Sequence, residues 1–545
     1  MTTTALRRPD TADHDSGGRL TGTGTLIRLA LRRERIPLLA WVIGISMVAA
    51  STFSAIAALY PDPAERAALV QSIAVNPAFL AITGPITGSS VGAIAAWRVT
   101  AVGTSLVALM SVFTVIRRTR GDEEAGRTEL LASAVVGRAA PLAAAVTVAV
   151  GASLTIGVLS AAAGIASGQD AMGSLAFGGA MAGCGVAFAG VAAVAAQLAE
   201  SSRTAIGLAC AAVAVTYALR AVGDVEASLH ALTWLSPQGW VGHVQPYGAN
   251  NLWVLVLYVA LGAVTLAVAV RLLEHRDLGL GMVPARLGPA GNTRLATPEA
   301  LAARLHRGTL VGWLVGMVAL GAVTGAVAST SADLLTDNPQ LERVMAQIGG
   351  SGAVTDTLLS VMGGLTGLIV GGYAIATALR MRSEEVADRV GPVLATAVGR
   401  SRWMVGHLTF VVIGPAALLL AAGVTAGALN SIQLGSFADG FNGAVGAMVV
   451  QLPATLVFGG IAVALFGLVP RFTGLAWAAL VVALLLGQLG ELLQLPSWVM
   501  DLSPYSHVPQ VPVAELSWPP LIVLTLVAVA LTAAGVVGFA RRDVS

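Results

Sequence analysis

The 545-residue sequence contains no lysine: its 31 permanently basic side chains are all arginine. A nucleotide phosphate-binding loop of the G-x-x-x-x-G-K-[ST] type needs a lysine on the phosphates, so this chain cannot hydrolyse ATP by that route. Charge of either sign is scarce, at 11% of residues against roughly 25% in a soluble globular protein. The two cysteines, Cys184 and Cys210, lie in apolar runs and suggest neither a disulfide framework nor a metal cluster. The first 20 residues have no apolar core, which excludes a secretory signal peptide and predicts a disordered tail. The net charge of +2 offers nothing to nucleic acid.

What is present is apolar. Hydrophobic residues make up 56% of the chain, mean hydropathy is +0.80, and runs of about 20 apolar residues recur. That predicts an all-α integral membrane protein, with 63 glycines and many alanines allowing close helix approach. By the length rule, spans lie near 37–60, 95–116, 141–165, 174–198, 204–222 and 252–272, then near 313–330, 358–379, 403–428, 444–469, 473–492 and in a last run ending at Arg541. Twelve spans are expected, as two pseudo-twofold halves, 21–280 and 297–545, joined by a linker over 281–296. Thr25 to Leu39 reads as an amphipathic interfacial helix feeding the first span, and LAARLHRGTL after Thr297-Pro298-Glu299 as its counterpart.

A charged island punctuates each half. Arg117 to Arg138, RRTRGDEEAGRTELLASAVVGR, is echoed by Arg380 to Arg400, RMRSEEVADRVGPVLATAVGR. Each carries an acid pair (Glu123-Glu124, Glu384-Glu385), an arginine (Arg127, Arg389) and a near-identical tail, which argues internal duplication. Leu235-Ser236-Pro237, inside LSPQGWVGHVQPYGANN, returns as Leu502-Ser503-Pro504 inside LSPYSHVPQVP. These pieces are too polar to span and too apolar for ordinary loops, and so read as re-entrant or interfacial. Of the arginines, 27 fall in the N-terminal region, the islands, the linker, the short loops at Arg203 and Arg471, or the C-terminus. The positive-inside rule then places both termini and both islands in the cytoplasm.

Titratable groups inside the spans are few; Arg98, Arg220 and Glu491 are the nearest, all close to predicted span ends, where snorkelling explains them. The islands are the stronger functional signal. Their acids are suited to the basic groove of a separate ATPase, their arginines to lipid headgroups. This assigns ATPase coupling to Glu123, Glu124, Arg127, Glu384, Glu385 and Arg389.

With NPAFLAITGP, EEAGRTELLASAVVGR, LSPQGW, EEVADRVGPVLATAVGR and LSPYSHVPQVP in this order, the chain resembles the type-2 ABC exporter permeases. It is similar in particular to their fused double-length branch, the exporters of polyketide antibiotics common in actinobacteria. The resemblance covers nearly everything after residue 20. It implies six spans per half with interfacial, coupling and re-entrant helices, and a partner ATPase dimer, with ATP and magnesium held by that partner and no cofactor in this chain. It also implies export of hydrophobic compounds or drugs across the plasma membrane. The second half departs from the pattern: it lacks NPA, and Val390-Gly391-Pro392 stands where the first has Thr128-Glu129, so the two docking sites are expected to be unequal. Trp97, Arg98, Tyr217, Tyr373 and Gln488 are expected along a mostly apolar path. Ser236, Pro237, His243, Ser503, Pro504 and His507 are expected at an outer gate, with both histidines bonding backbone rather than metal. The competing reading is a proton-coupled major-facilitator carrier, which Asp388-Arg389-Val390-Gly391 resembles in part; its long loops and absent membrane acids count against it. A scaffold or sensor subunit is the non-transport alternative.

Overall fold

A 37-residue helix, α1 (Thr23–Leu59), opens the described chain and runs straight through Pro37. At 1.5 Å per residue it is about 56 Å long, nearly twice the hydrocarbon thickness of about 30 Å. The expected interfacial helix and first span are therefore one continuous rod. Pro37 removes a single backbone donor, and the helix continues past it. The same happens in the second half, where α11 (Pro298–Thr336) merges the predicted interfacial piece with the seventh span.

The computed structural model describes residues 18–74, 77–128, 136–277, 280–283, 295, 297–336, 351–434, 437–489 and 496–542. The predicted disordered tail lies mostly outside these residues, as do most of the linker and Glu491. Among the described residues there is no strand, and eleven helices are long and apolar enough to cross a membrane. This is a multi-pass, all-helical membrane protein. Contacts divide the chain into two compact units, Met1–Gly288 and Pro289–Ser545.

In the first unit, α1 is followed by two short helices, α2 (Pro63–Ala74) and α3 (Pro77–Thr83), then α4 (Val91–Arg118) and the five-residue α5 (Arg120–Glu124). Next come α6 (Ala140–Ala166), α7 (Ala171–Leu198), α8 (Ser202–Val225), the short α9 (Trp240–Val244) and α10 (Leu255–His275). Helix α7 is the central one, packed on α4, α6, α8 and α10. It can be central because it is built from Gly and Ala: a Cβ on Gly178 would lie 2.2 Å from the Gly157 carbonyl oxygen of α6. Without hydrophobic expulsion between helices in lipid, such close backbone approach supplies the association energy.

The second unit holds α11, α12 (Ser351–Val386), the short α13 (Val390–Leu394), α14 (Arg400–Leu434), α15 (Phe437–Val449), α16 (Leu452–Leu468), α17 (Leu475–Leu489), α18 (Ser497–Met500) and α19 (Trp518–Arg541). The expected tenth span is split between α15 and α16 at Gln451, just before Pro453. Of the expected eleventh span, the described part is α17, 15 residues and about 22 Å long, and the last residues of that span lie outside the described residues. Helix α16 packs on α19 as α7 does on α10.

Candidate functional site

The first island is closed by a network centred on two buried arginines. Arg120, 1% exposed, donates from Nε to the Ala196 carbonyl (2.6 Å), from one terminal nitrogen to Glu123 (2.8 Å) and from the other to the Leu280 carbonyl (2.7 Å). Arg276, which follows α10, grips Glu123 with both terminal nitrogens (2.6 and 3.0 Å) and donates from Nε to Gln197 (2.7 Å). Arg138 in turn donates to the Arg276 carbonyl at 2.5 Å. Bidentate, charge-assisted bonds of this kind fix orientation as well as distance. Asp122 pairs with Arg127 (2.7 Å) and Arg118 (3.7 Å), and Glu124 accepts from the backbone N–H and hydroxyl of Ser202, capping α8.

The second island repeats these contacts. Arg382 pairs with Glu385 at 2.8 Å as Arg120 pairs with Glu123; Glu384 takes Arg380 (3.0 Å) and Arg389 (3.5 Å) as Asp122 takes Arg118 and Arg127. Arg542, just after α19, bonds Glu385 as Arg276 bonds Glu123, and Arg400 donates to the Arg542 carbonyl at 2.6 Å. The structural counterparts of Glu384-Glu385 are therefore Asp122-Glu123, one residue earlier than the Glu-Glu match in the sequence. Glu124 corresponds to Val386, which is exposed and caps nothing. The architecture differs as well: Glu384 and Glu385 sit on the end of α12 itself, not on a separate short helix.

Of the four acids in the two Glu-Glu pairs, three face inward. Glu384 and Glu385 are buried and Glu123 nearly so, each held by the protein's own arginines, because buried guanidinium groups need a counter-charge. Glu124, Arg127 and Arg389 are the exposed members.

Each LSP segment sinks a tyrosine into a glycine-lined cradle. The Tyr247 hydroxyl bonds Ser174 at 2.8 Å, and a Cβ on Gly173 would lie 2.3 Å from its ring. Tyr505 donates to the Gly367 carbonyl at 2.6 Å. Burial pushes both phenols above their ordinary pKa. Ser236 caps Gly239, and Pro237 follows it before α9. His243 stacks on Trp234 and bonds the Thr233 hydroxyl at 2.8 Å, so its partner is a side chain, not the expected backbone group. Burial and the neighbouring His230 lower its pKa and keep it neutral. His507 bonds the Asp501 carbonyl at 2.9 Å in the turn that Ser503 and Pro504 begin.

Of the residues expected along a path, Trp97 and Tyr217 of the first unit reach the same segment. The Trp97 indole donates to the Gly84 carbonyl just after α3, and the Tyr217 hydroxyl to the Ile82 carbonyl in its last turn. Tyr373 is fully buried against Trp313. Arg98 is exposed beside an apolar groove between α1 and α4 that includes Trp41, Val48 and Leu106. The Gln488 side chain lies outside the described residues.

The family described as "Multidrug efflux system permease Rv1217c, C-terminal domain" matches the chain over residues 24–273 and over residues 295–540. Across 549 aligned residues, covering the whole of both chains, the sequence is 38% identical to the "Multidrug efflux system permease protein Rv1217c" of Mycobacterium tuberculosis (strain ATCC 25618 / H37Rv). The chain belongs to this permease family.

Three residues of this permease escaped the reading of its sequence. Glu34, 2% exposed on α1, accepts from Arg117 (3.1 Å) and from Arg118, whose Nε lies at 2.8 Å. It sits among four arginines and reads in sequence as one more charge of a headgroup-facing flank. In the second unit His306, eight residues into α11, is buried and bonds His407 at 2.9 Å. Asp224, near the end of α8, is the third: it is buried 3.8 Å from Arg220, and Arg220 donates to the Ala81 and Ile82 carbonyls. The Asp/Arg spacing of four on one helix was the available signal.

Proposed function

We propose that this permease is the membrane subunit of an ATP-driven exporter of hydrophobic compounds, antibiotics or drugs, energised by a separate ATPase dimer that docks at the two islands. Membership of a multidrug efflux permease family supports the cargo class. The absence of lysine removes a phosphate-binding loop from this chain and moves ATP and magnesium to the partner. The observation that carries the coupling is the island network itself, built from the same ion pairs in each unit and ending in each on the last helix. In this reading the plasma membrane is crossed with both termini and both islands cytoplasmic, and the two units arose by duplication. Glu123, Glu124 and Arg127 with Glu384, Glu385 and Arg389 hold the islands as rigid docking pieces, with Arg127 and Arg389 presented outward. ATP-driven closure of the partner then moves the islands together, a rigid-body change suited to repeated units.

The test is purification with whatever accompanies the chain, followed by dye efflux from proteoliposomes. Copurification of an ATPase, and efflux that needs ATP hydrolysis and no ion gradient, is the expected result. Reversing the charge of the exposed Arg127 and Arg389 together should then abolish drug-stimulated hydrolysis while the permease remains inserted. A proton-coupled carrier is the second reading, favoured by the buried Asp224 beside Arg220. Efflux by the isolated chain that follows a proton gradient would establish it.

A further inference from the structure

Arg276 and Arg542 stand at one end of the last helix of their unit, and the LSP segment stands at the other. In the first unit, α10 begins directly after that segment; Trp240 of α9 meets Tyr258 of α10 edge-on at 4.9 Å, and Asn251 donates to the His243 carbonyl at 3.0 Å. In the second, Val508 shares an apolar cluster with Leu521, Leu524 and Ala528 of α19. Each last helix is thus fastened twice, by apolar contact to the LSP segment and by ion pairs to the island. Helix α10 has 21 residues, about 32 Å of uninterrupted helix, and α19 has 24.

The island fastening is the stiffer of the two. Arg276 is 5% exposed and engages Glu123, Gln197 and the Leu280 carbonyl at once. Arg542 combines its bond to Glu385 with a 3.2 Å bond to the Phe466 carbonyl and stacks over Phe466 and Phe539. Sliding either helix past its island would expose an unpaired buried charge, so the pair moves as one body. The carbonyls of Arg276 and Arg542 are also held, by Arg138 and Arg400, from the far end of the same islands.

We infer that the last membrane helix of each unit carries the displacement of its island to the LSP segment, with Arg276 and Arg542 as the positioning residues. This rests on the reading that an ATPase drives the islands, and it makes the last helix of each unit a moving part.

The test uses the permease reconstituted with its copurifying ATPase and measures dye efflux per ATP hydrolysed. Arg276→Gln and Arg542→Gln should lower that ratio roughly tenfold, the size of an ordinary coupling free energy, while ATPase copurification and basal hydrolysis persist. A purely structural role would lower efflux, hydrolysis and folded yield in proportion and leave the ratio unchanged. Arg276→Lys, which keeps the charge and loses the fork, replaces Arg276→Gln if the latter fails to fold, and should show an intermediate ratio. In a background of Cys184→Ala and Cys210→Ala, the pair Glu123→Cys and Arg276→Cys should be uncoupled, and a short bifunctional thiol reagent should restore the ratio. An unchanged ratio in the arginine variants, or a cross-link that blocks transport, overturns the inference. Absence of any copurifying ATPase overturns instead the reading on which it rests.

Discussion

At the scale of single residues, the chain spends its few acids on its own arginines. Glu34 shows the consequence. It is buried between Arg117 and Arg118, and removing one member of a buried pair leaves the other charge without compensation. Glu34→Ala should therefore destabilise the first unit by about 3–5 kcal/mol, seen as a lowered unfolding temperature in detergent. A shift within error of the parent would mean that Arg118 finds solvent or lipid phosphate instead. Glu123 and Glu385 follow the same rule, which is why they sit against the protein's own arginines while Glu124 stays exposed.

At the scale of elements, glycine decides which helices touch. Helices α16 and α19 approach so closely that a Cβ on Gly467 would lie 2.0 Å from the Gly535 carbonyl oxygen, a backbone atom that cannot swing aside. Gly467→Val should force the pair apart and move Arg542 from Glu385. The expected outcome is a loss of monodisperse protein in size-exclusion chromatography, much larger than for Gly474→Val, where a Cβ meets nothing within 4 Å. Equal behaviour of the two variants would show that this contact does not hold the second unit together. Helix positions were legible in the sequence because twenty-residue apolar runs report length directly. Continuity was not: Pro37 and the arginine-rich flank of α1 look like a boundary, yet the helix passes through both.

At the scale of the whole molecule, the two units share a plan and differ in their fastenings. The first island is tied to α1 through Arg117 and Arg118 on Glu34, to α8 through Glu124 on Ser202, and to the end of α10 through Arg276. In the second, Val386 replaces Glu124 and His306 occupies the corresponding part of its first helix, leaving Arg542 as the principal tie among the described residues. Amide hydrogens over Arg382–Leu394 should accordingly exchange severalfold faster than those over Arg120–Glu124, since opening there breaks fewer buried pairs. Equal protection would remove the asymmetry that the different residues after Arg127 and Arg389 first suggested.

Composition and periodicity by themselves determined that this is a helical multi-pass membrane protein, that it lacks a lysine-based phosphate loop, and that two islands and two LSP segments recur. Those properties are sums over many residues or short strings, and no neighbour in space can change them. Tertiary structure alone decided which acid of each island corresponds to which, and that Arg276 and Arg542 join islands to last helices more than 150 residues away. Pairing over such distances depends on which side chains the helix packing brings within 3 Å. A one-residue shift in the Glu-Glu match is invisible to the string and plain in the ion pairs.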